Sequence, residues 1–338
     1  MNTHLNAHGK ASSFARRTAL HATALAALLS CLGMNATAQS FPNKAVTLIL
    51  PAATGGTTDI AARMLAPALG TALGQSVVVD NKSGGNGAIA AQLVKRADPD
   101  GHTLLMQYSG YHVITPLVSK SPLGWELSDL QPVANVISAP QVILVRASLP
   151  VKTMAELIAY AKANPGKLNY ATSGNGSLQH VTGAMLEQQA GIQMTPIPYR
   201  SSGLALTDLL GNQVDLTFGT PPPYVPHIQS GKLRALAVTG KARLPSLPDV
   251  PTATEAGLPK LDASSWFGVF APAKTPKAVV DKLSTEIAKI TATPAFKQRA
   301  IELGAEADYL NPQQMGELVK QEVSRWTQVV KTAKIEAD

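Results

Sequence analysis

The segment from residue 45 to residue 59 holds the groups best placed for chemistry. An apolar run ends at Pro51, a loop of small and hydroxyl residues containing Gly55-Gly56 follows, and an alanine-rich amphipathic helix begins near Thr57. Free backbone N–H groups at the start of a helix carry partial positive charge and favour an anion. Because the loop contains no lysine, it favours a small carboxylate or phosphate over a polyanion. The alternative is a plain turn in which one of the residues 57–59 caps the helix.

A second loop, spanning residues 169–177, repeats the order of strand, glycine-rich turn and helix. Taken alone, this loop is also compatible with a simple turn. If the two loops face each other across a cleft, their backbone N–H groups and hydroxyls could hold the carboxylate of one ligand. His180, just inside the following helix, could fix the loop, line the cleft or serve a structural role.

Arg200 is the best-placed cation for a second carboxylate on the ligand, because it follows a predicted strand and precedes a turn of small residues. It could equally pair with Asp208 or Asp215 on the surface. Three tyrosines could wall the pocket or belong to the core, namely Tyr108, Tyr111 and Tyr224. The candidate ligand-binding residues are Ala53, Thr54, Gly55, Gly56, Thr57, Thr58, Asp59, Ser109, Ser173, Gly174, Asn175, Gly176, Ser177, His180, Arg200 and Thr220.

The patterns of several enzyme and cofactor classes are missing or incomplete in the sequence. The histidines that follow residue 38 have no metal-ligand spacing, and there is neither a G-x-S-x-G elbow nor a marked pair of carboxylates. Residues 83–90 contain G-x-G-x-x-A, but this run does not follow its strand directly and no suitably placed acidic residue comes after it. The sequence therefore predicts no cofactor, no metal and no catalytic residue.

Residues 1–38 have the features of an export leader. Arg16-Arg17 form a basic region, a mostly apolar stretch follows, and residues 36–38 read A-T-A, a cleavage site before Gln39. Cleavage there predicts a soluble periplasmic protein. It would also remove Cys31, the only cysteine, which excludes disulfides and thiol chemistry. The alternative is a lipoprotein anchored through Cys31.

The charge pattern after the leader excludes two kinds of partner. There remain 26 basic and 22 acidic side chains, and the basic ones are scattered, with no run longer than Lys95-Arg96. Such a pattern is not that of a nucleic-acid-binding surface. Beyond Gln39 no apolar run is long enough to span a bilayer, so no membrane-embedded segment is predicted.

Strands and helices alternate in the spacing of βα units, which predicts an α/β fold of mainly parallel sheets flanked by helices. Strands on either side of Pro140, and a later strand over residues 266–271, predict two crossings between lobes. Residues 277–332 are predicted to be mostly helical and to pack on the first lobe. A cleft between lobes lies at strand ends, where α/β sheets bind ligands. The predicted boundaries are 1–38 for the leader, 39–140 with 262–338 for lobe 1, and 141–261 for lobe 2.

Several short motifs follow one another through the chain in a specific order. They are Val46–Pro51, Gly55-Gly56-x-x-Asp59-x-x-Ala62-Arg63, Leu73-Gly-Gln-x-Val-Val-Val79, Asp98-Pro-Asp-Gly-x-Thr-Leu-Leu105, Glu156–Lys162, Gly231–Val238 and Leu247–Thr252. In this order they resemble the Bug-type periplasmic receptors of tripartite tricarboxylate transporters. The resemblance covers essentially the whole chain after the leader, and the set of motifs is specific although each one alone is weak.

The resemblance implies a two-lobed periplasmic binding protein of the Venus-flytrap kind, similar to type II. In such a receptor the loops 54–58 and 173–177 would hold a ligand carboxylate between the lobes, partly through ordered water. It implies no catalysis, a small organic acid as ligand, membrane transporter subunits as partners and usually a monomeric state. Near the cleft, residues 52–54, Tyr111, Thr115-Pro116 and Ser201 differ from those usual in the family, so the ligand class is less defined than the fold.

Two other functions are compatible with the sequence. The same fold could serve a sensory receptor that reports ligand occupancy to a membrane signalling partner. A periplasmic hydrolase or isomerase could use His180 together with a nearby carboxylate.

Overall fold

The computed structural model describes residues 41–200, 202–333 and 335. The described residues from Lys44 onward form one compact unit, and this unit contains two β-sheets flanked by helices. The predicted leader with its cleavage site, Cys31 and Ser201 all lie outside the described residues. Two sheets with flanking helices are what the two-lobed α/β prediction requires.

The strands, in chain order, are β1 (Val46–Leu50), β2 (Val77–Asn81), β3 (Thr103–Tyr108), β4 (Leu130–Pro140), β5 (Val142–Arg146), β6 (Asn169–Thr172), β7 (Thr195–Pro198), β8 (Leu216–Gly219), β9 (Leu233–Val238), β10 (Ser264–Pro272) and β11 (Glu306–Leu310). The first sheet has the order β11-β4-β10-β3-β1-β2, and the second has the order β7-β6-β8-β5-β9. The strands of the second sheet are thus a contiguous stretch of chain inserted into the first.

The α-helices, in chain order, are α1 (Thr57–Leu73), α2 (Ala88–Lys95), α3 (Thr115–Val118), α4 (Met154–Ala163), α5 (Leu178–Ala190), α6 (Ser202–Leu210), α7 (Val225–Gln229), α8 (Lys277–Ala292), α9 (Pro294–Glu302) and α10 (Pro312–Ala333). One turn of π-helix over Gly110–Ile114 precedes α3. The predicted cap of α4 is present, since the Thr153 hydroxyl accepts a hydrogen bond from the Glu156 N–H. Within the described part of the chain, none of these helices is both long and apolar enough to cross a membrane.

Both sheets are mixed, whereas the sequence predicted mainly parallel sheets. β1 pairs in parallel with β2 and β3, and β6 pairs in parallel with β7 and β8. The strands that enter a lobe from the other one run the opposite way: β10 is antiparallel to β3 and β4, and β5 is antiparallel to β8 and β9. Parallel pairs come from the βα units, and the crossing strands reverse direction because they return the chain from the other lobe.

The predicted crossings are found where β4 leads into β5 and where β9 is followed by β10. Only Gln141 separates β4 of the first sheet from β5 of the second. Its N–H donates to the Ala263 carbonyl at 3.1 Å, and the Thr239 N–H donates to the Gln141 carbonyl at 2.8 Å. The segments that connect the lobes are therefore hydrogen-bonded to one another at a single place.

The C-terminal part is not purely helical, because β11 adds an edge strand to the first sheet next to β4. Its sequence, Glu-Ala-Asp-Tyr-Leu, lacks the apolar run of a buried strand, and its residues are exposed or half-buried. The Asn135 side chain of β4 donates to the backbone carbonyl of Asp308 at 2.7 Å and so helps to hold this edge. As predicted, helices of this part, α8 and α10, pack on β4 of the first lobe.

Candidate ligand-binding site

The start of α1 is open towards the cleft. Gly56 precedes the helix in extended conformation, and among the described residues no side chain caps its N-terminus. Thr57 and Thr58, the first two helical residues, are buried and line a cavity between the two sheets. Since the first N–H groups of a helix have no partner within the helix, this end presents donors and partial positive charge to the cavity.

Asp59 fixes the loop before α1 instead of capping the helix towards the ligand. Its carboxylate accepts from the Gly55 N–H at 2.9 Å, from the Arg63 guanidinium at 3.0 Å and from the Asn81 amide at 3.0 Å. Burial alone would raise the pKa of Asp59, but these hydrogen bonds outweigh it and keep the pKa below its usual value. The side chain therefore remains an anion, and it fixes the loop without lining the cavity.

The second loop satisfies much of its own backbone. The Ser177 hydroxyl accepts from the His180 N–H at 3.4 Å and caps α5, while Nδ1 of His180 accepts from the Gly176 N–H at 3.0 Å. The Gly174 N–H in turn donates to the Thr172 hydroxyl at 3.3 Å. The two loops are thus unequal: α1 starts without a side-chain cap and α5 starts with one. His180 fixes its loop, and its Nδ1 lone pair is engaged there.

The cavity between the sheets is narrow and its lining is uncharged. Its volume is about 30 Å³, which is the space of about one water molecule. A solute of several carbon atoms can therefore enter only when the lobes move apart. The lining residues are Ala52, Ala53, Gly56, Thr57, Thr58, Tyr108, Tyr111, Gln141, Ser173, Gln179, Ser202, Thr220, Ser265 and Phe267.

Hydrogen bonds join the two lobes directly around this cavity. The Tyr111 hydroxyl donates to the Ser173 carbonyl at 2.7 Å, and the Tyr108 and Ser173 hydroxyls lie 3.1 Å apart. On the other side, the Thr57 and Thr220 hydroxyls lie 2.6 Å apart. These contacts hold the cleft closed, because each pairs a residue of the first lobe with one of the second.

The aromatic wall of the cavity stays neutral. The Tyr108 and Tyr111 rings are 4.6 Å apart at an angle of 58°, and Tyr108 stacks against Phe267 at 6.1 Å. Burial raises the pKa of Tyr111 to about 12 and that of Tyr108 well above its usual value. Both hydroxyls are therefore protonated at physiological pH and can donate hydrogen bonds.

The structure brings some of the predicted residues to the cavity and leaves others away from its lining. Arg200 is exposed and lies outside the lining, and Ser109 is buried without lining it. Tyr224 is a core residue of the second lobe. The predicted site residues that line the cavity are Ala53, Gly56, Thr57, Thr58, Ser173 and Thr220. The others outside the lining are Thr54, Gly55, Asp59, Gly174, Asn175, Gly176, Ser177 and His180.

The sequence analysis did not select the lining residues on the crossing strands and at the starts of α5 and α6. Gln141 and Ser265 are polar residues at the edges of apolar strands, and Phe267 is two positions beyond Ser265 on β10. Residues 265 and 267 lie on one face of the strand because side chains alternate along it. This alternation could have indicated that both residues face the cavity. Gln179 and Ser202 lie at the first turns of α5 and α6, where the amphipathic pattern gives no comparable signal.

Among the described residues, no cluster of three or more His, Cys, Asp or Glu side chains could hold a metal ion. The lining offers hydroxyls, amides, backbone donors and aromatic rings. Such a set can bind a small anion and surround its carbon chain, because neutral donors solvate a carboxylate without bringing a competing charge.

Asn86 supplies a further bond across the cleft, and its removal is expected to weaken ligand binding about fivefold. The Asn86 amide donates to the Asn175 carbonyl at 2.9 Å from a residue with φ of 49°. Asn86→Gly keeps this backbone conformation accessible and removes only the bond, which is worth about 1 kcal/mol. Calorimetric titration would measure the change in Kd.

The matched control is Asn212→Gly, at the other described non-glycine residue with positive φ, which is exposed in the second lobe and bonded to Ser148. We expect unchanged affinity in this variant. Equal affinities in the two variants would show that the Asn86 contact does not contribute to closure.

Comparison with known proteins gives one family. Residues 61–335 match the model described as "Tripartite tricarboxylate transporter family receptor". The chain is 37% identical to the solved structure of Rpa4515 of Rhodopseudomonas palustris with adipate, with a TM-score of 0.86 over 88% of this chain and 100% of that one. It is 38% identical to the periplasmic binding protein BugD, with a TM-score of 0.83 over 88% and 100%. It is 33% identical to MatC of Rhodopseudomonas palustris with bound malate, with a TM-score of 0.81 over 86% and 100%.

Proposed function

The chain belongs to the receptor family of the tripartite tricarboxylate transporters, and we propose that it captures a small organic acid in the periplasm and delivers it to a membrane transporter of this type. Residues 1–38 direct export and are removed after Ala38. The mature protein acts as a monomer and without catalysis. Lobe 1 comprises residues 39–140 and 262–338, and lobe 2 comprises residues 141–261.

The observation that carries this proposal is the uncapped start of α1 in a closed, uncharged cavity. A carboxylate placed there accepts hydrogen bonds from the first backbone N–H groups of α1 and from the hydroxyls of Thr57 and Thr58. The ligand replaces water that would otherwise solvate these donors. The relatives with bound adipate and malate support the same ligand class for this chain.

Closure gives the transporter a signal to recognise. Thr57 of the first lobe and Thr220 of the second meet beside the start of α1, so a ligand bound there touches both lobes and favours the closed form. Gln141, Thr239 and Ala263 lie at the crossing segments, where a hinge motion can open the cleft without disrupting either sheet. A membrane subunit that binds both lobes can thereby distinguish the loaded receptor from the empty one.

The test is a thermal-unfolding screen of the mature chain, from Gln39 onward, against adipate, malate, succinate and their uncharged diamides. A ligand that binds only the folded state adds about 2.7 kcal/mol of stability at a hundredfold excess over Kd. We expect at least one acid to raise the Tm by several degrees and the matching diamide to leave it unchanged. Stabilisation by diamides and not by acids would contradict the proposal, as would the absence of stabilisation by every acid in a protein shown by mass spectrometry to carry no ligand.

A further inference from the structure

Gln141 holds an unusual position, because it is the single residue between the strands β4 and β5 of the two sheets. Its N–H group contacts two acceptors, the Ala263 carbonyl at 3.1 Å and the Thr239 hydroxyl at 2.9 Å, and its carbonyl accepts from the Thr239 N–H at 2.8 Å. The backbone is thus fixed by the crossing segments. Its side chain is 1% exposed and lines the cavity.

The amide of Gln141 is only half satisfied. Its Nε2 donates to the Ser265 hydroxyl at 3.1 Å, while its Oε1 is buried and has no hydrogen-bond partner within the described part of the protein. Leaving a buried acceptor unpaired is unfavourable, so a bound solute or an ordered water is expected to supply the missing donor. The neighbouring Gln179 differs in this respect: its Oε1 accepts from Ser173 at 2.9 Å and its Nε2 donates to Ser202 at 3.3 Å.

Because Gln141 lines the cavity and its Oε1 has no partner among the described residues, a donor on the ligand can satisfy this oxygen. A carboxylate cannot donate, and a methylene group would leave the oxygen buried and unsatisfied. An ammonium group can donate, but the described lining residues include no carboxylate to pair with it, so only the carboxylate of the ligand itself would balance its charge. A hydroxyl group needs no counter-charge. It can also accept, so it would satisfy Gln141 with its amide in either orientation.

We propose that the ligand is a hydroxycarboxylate whose hydroxyl group hydrogen-bonds to the side-chain amide of Gln141 while its carboxylate lies at the start of α1. This inference rests on the proposed function and specifies its substrate class. Because Gln141 connects the two sheets, the hydroxyl contact is made at the hinge, where both lobes share a backbone. Gln141 is accordingly assigned as a specificity-determining residue.

The experiment compares each hydroxy acid with the acid that lacks only the hydroxyl, using malate with succinate, 2-hydroxyglutarate with glutarate and 3-hydroxybutyrate with butyrate. Calorimetric titration of the mature protein gives the ratio of Kd values within each pair. We expect the hydroxylated member of the pair that fits to bind about 10- to 100-fold more tightly, which corresponds to about 1.4 to 2.8 kcal/mol. This comparison requires no substitution.

Gln141→Met tests the assigned residue, because methionine has a similar length and no amide. We expect the preference within the pair to fall to about threefold or less, since the plain acid then leaves no amide oxygen of residue 141 unsatisfied and the loss of the bond to Ser265 affects both acids alike. Gln179→Met is the matched control from the same cavity. It is expected to weaken both members of a pair to a similar extent and to leave their ratio within about threefold of the wild type.

Each outcome separates this inference from the proposed function. Plain acids that bind as tightly as their hydroxylated partners would overturn the hydroxycarboxylate assignment and leave a carboxylate receptor. Tighter binding of aspartate than of malate would overturn it in favour of an amino acid. A preference that persists unchanged in Gln141→Met would overturn the role of Gln141. If no acid of any pair binds and the acid screen also fails, the proposed function itself is wrong.

Discussion

Thr57→Asp is expected to raise the Kd for the bound acid by at least about 100-fold. Thr57 is the first residue of α1 and lies in the cavity lining. An aspartate there places a negative charge where the ligand carboxylate would bind, and two like charges in contact cost several kcal/mol. The same charge is favourable for the helix itself, by about 0.3 to 1 kcal/mol, because it lies at the positive end of the helix dipole. Within the cavity this gain opposes the cost of burying the new charge.

The control is Thr57→Asn, which has the size of aspartate and no charge. Its amide can still pair with the Thr220 hydroxyl, which lies 2.6 Å from the Thr57 hydroxyl. We expect its Kd to stay within about tenfold of the wild-type value, since it loses at most the net worth of one or two hydrogen bonds. Calorimetric titration and thermal unfolding of both variants separate the two effects. Equal affinities for the aspartate and asparagine variants would show that the ligand carboxylate does not lie at α1.

A second substitution tests the difference between the two loops, which is that α5 has a side-chain cap and α1 has none. Ser177 already caps α5 by accepting from the His180 N–H, and aspartate is a good substitute in that capping role. Ser177→Asp is therefore expected to weaken binding much less than Thr57→Asp. The contrast between the two substitutions would locate the ligand carboxylate at α1.

The sequence predicted those parts of the fold that depend on local patterns. β1 and the start of α1 at Thr57 are where the apolar run and the loop placed them, and the capping box at Thr153 identified α4. Pro140 marked the crossing between the lobes. A residue before proline favours extended backbone, and β4 ends at this proline. The edge strand β11 was missed because its pairing with β4 depends on a contact with Asn135 far away in sequence.

The candidate site was predicted only in part, for a related reason. The loops at residues 52–58 and 169–177 follow from composition, and each contributes residues to the cavity lining. Gln141, Ser265 and Phe267 reach the cavity because the crossing strands bring distant segments together, which no local pattern encodes. The cap on α5 likewise depends on the side chains of Ser177 and His180 turning towards their own loop.

His112 should make the free energy of unfolding fall by about 2 kcal/mol between pH 6.5 and pH 4.5. The ring is 2% exposed, stacks on Phe270 at 4.0 Å and lies near Trp125 and Trp266. Burial lowers the pKa of His112 from 6.5 to about 3. In this pH window the folded protein keeps the ring neutral while the unfolded chain binds a proton. Stability therefore rises with pH, by up to about 1.4 kcal/mol per pH unit.

His112→Phe removes this titration and keeps an aromatic ring against Phe270. Denaturant unfolding at a series of pH values gives the free energy of unfolding as a function of pH. Between pH 4.5 and 6.5 the slope of this curve should be smaller in the variant than in the wild type, by the amount that corresponds to about one bound proton. Burial raises the pKa of Glu187, which acts in the opposite direction, but it is present in both proteins and cancels in the difference. Asp59 and Asp100 have lowered pKa values, and their stabilising effect is lost only at lower pH, near and below the usual pKa of a carboxyl group.

An unchanged slope in His112→Phe would mean that the ring is not held neutral in the folded protein. The expected change in slope would instead show that the aromatic packing around His112 keeps a charge out of the core, which makes the folded protein less stable in acid.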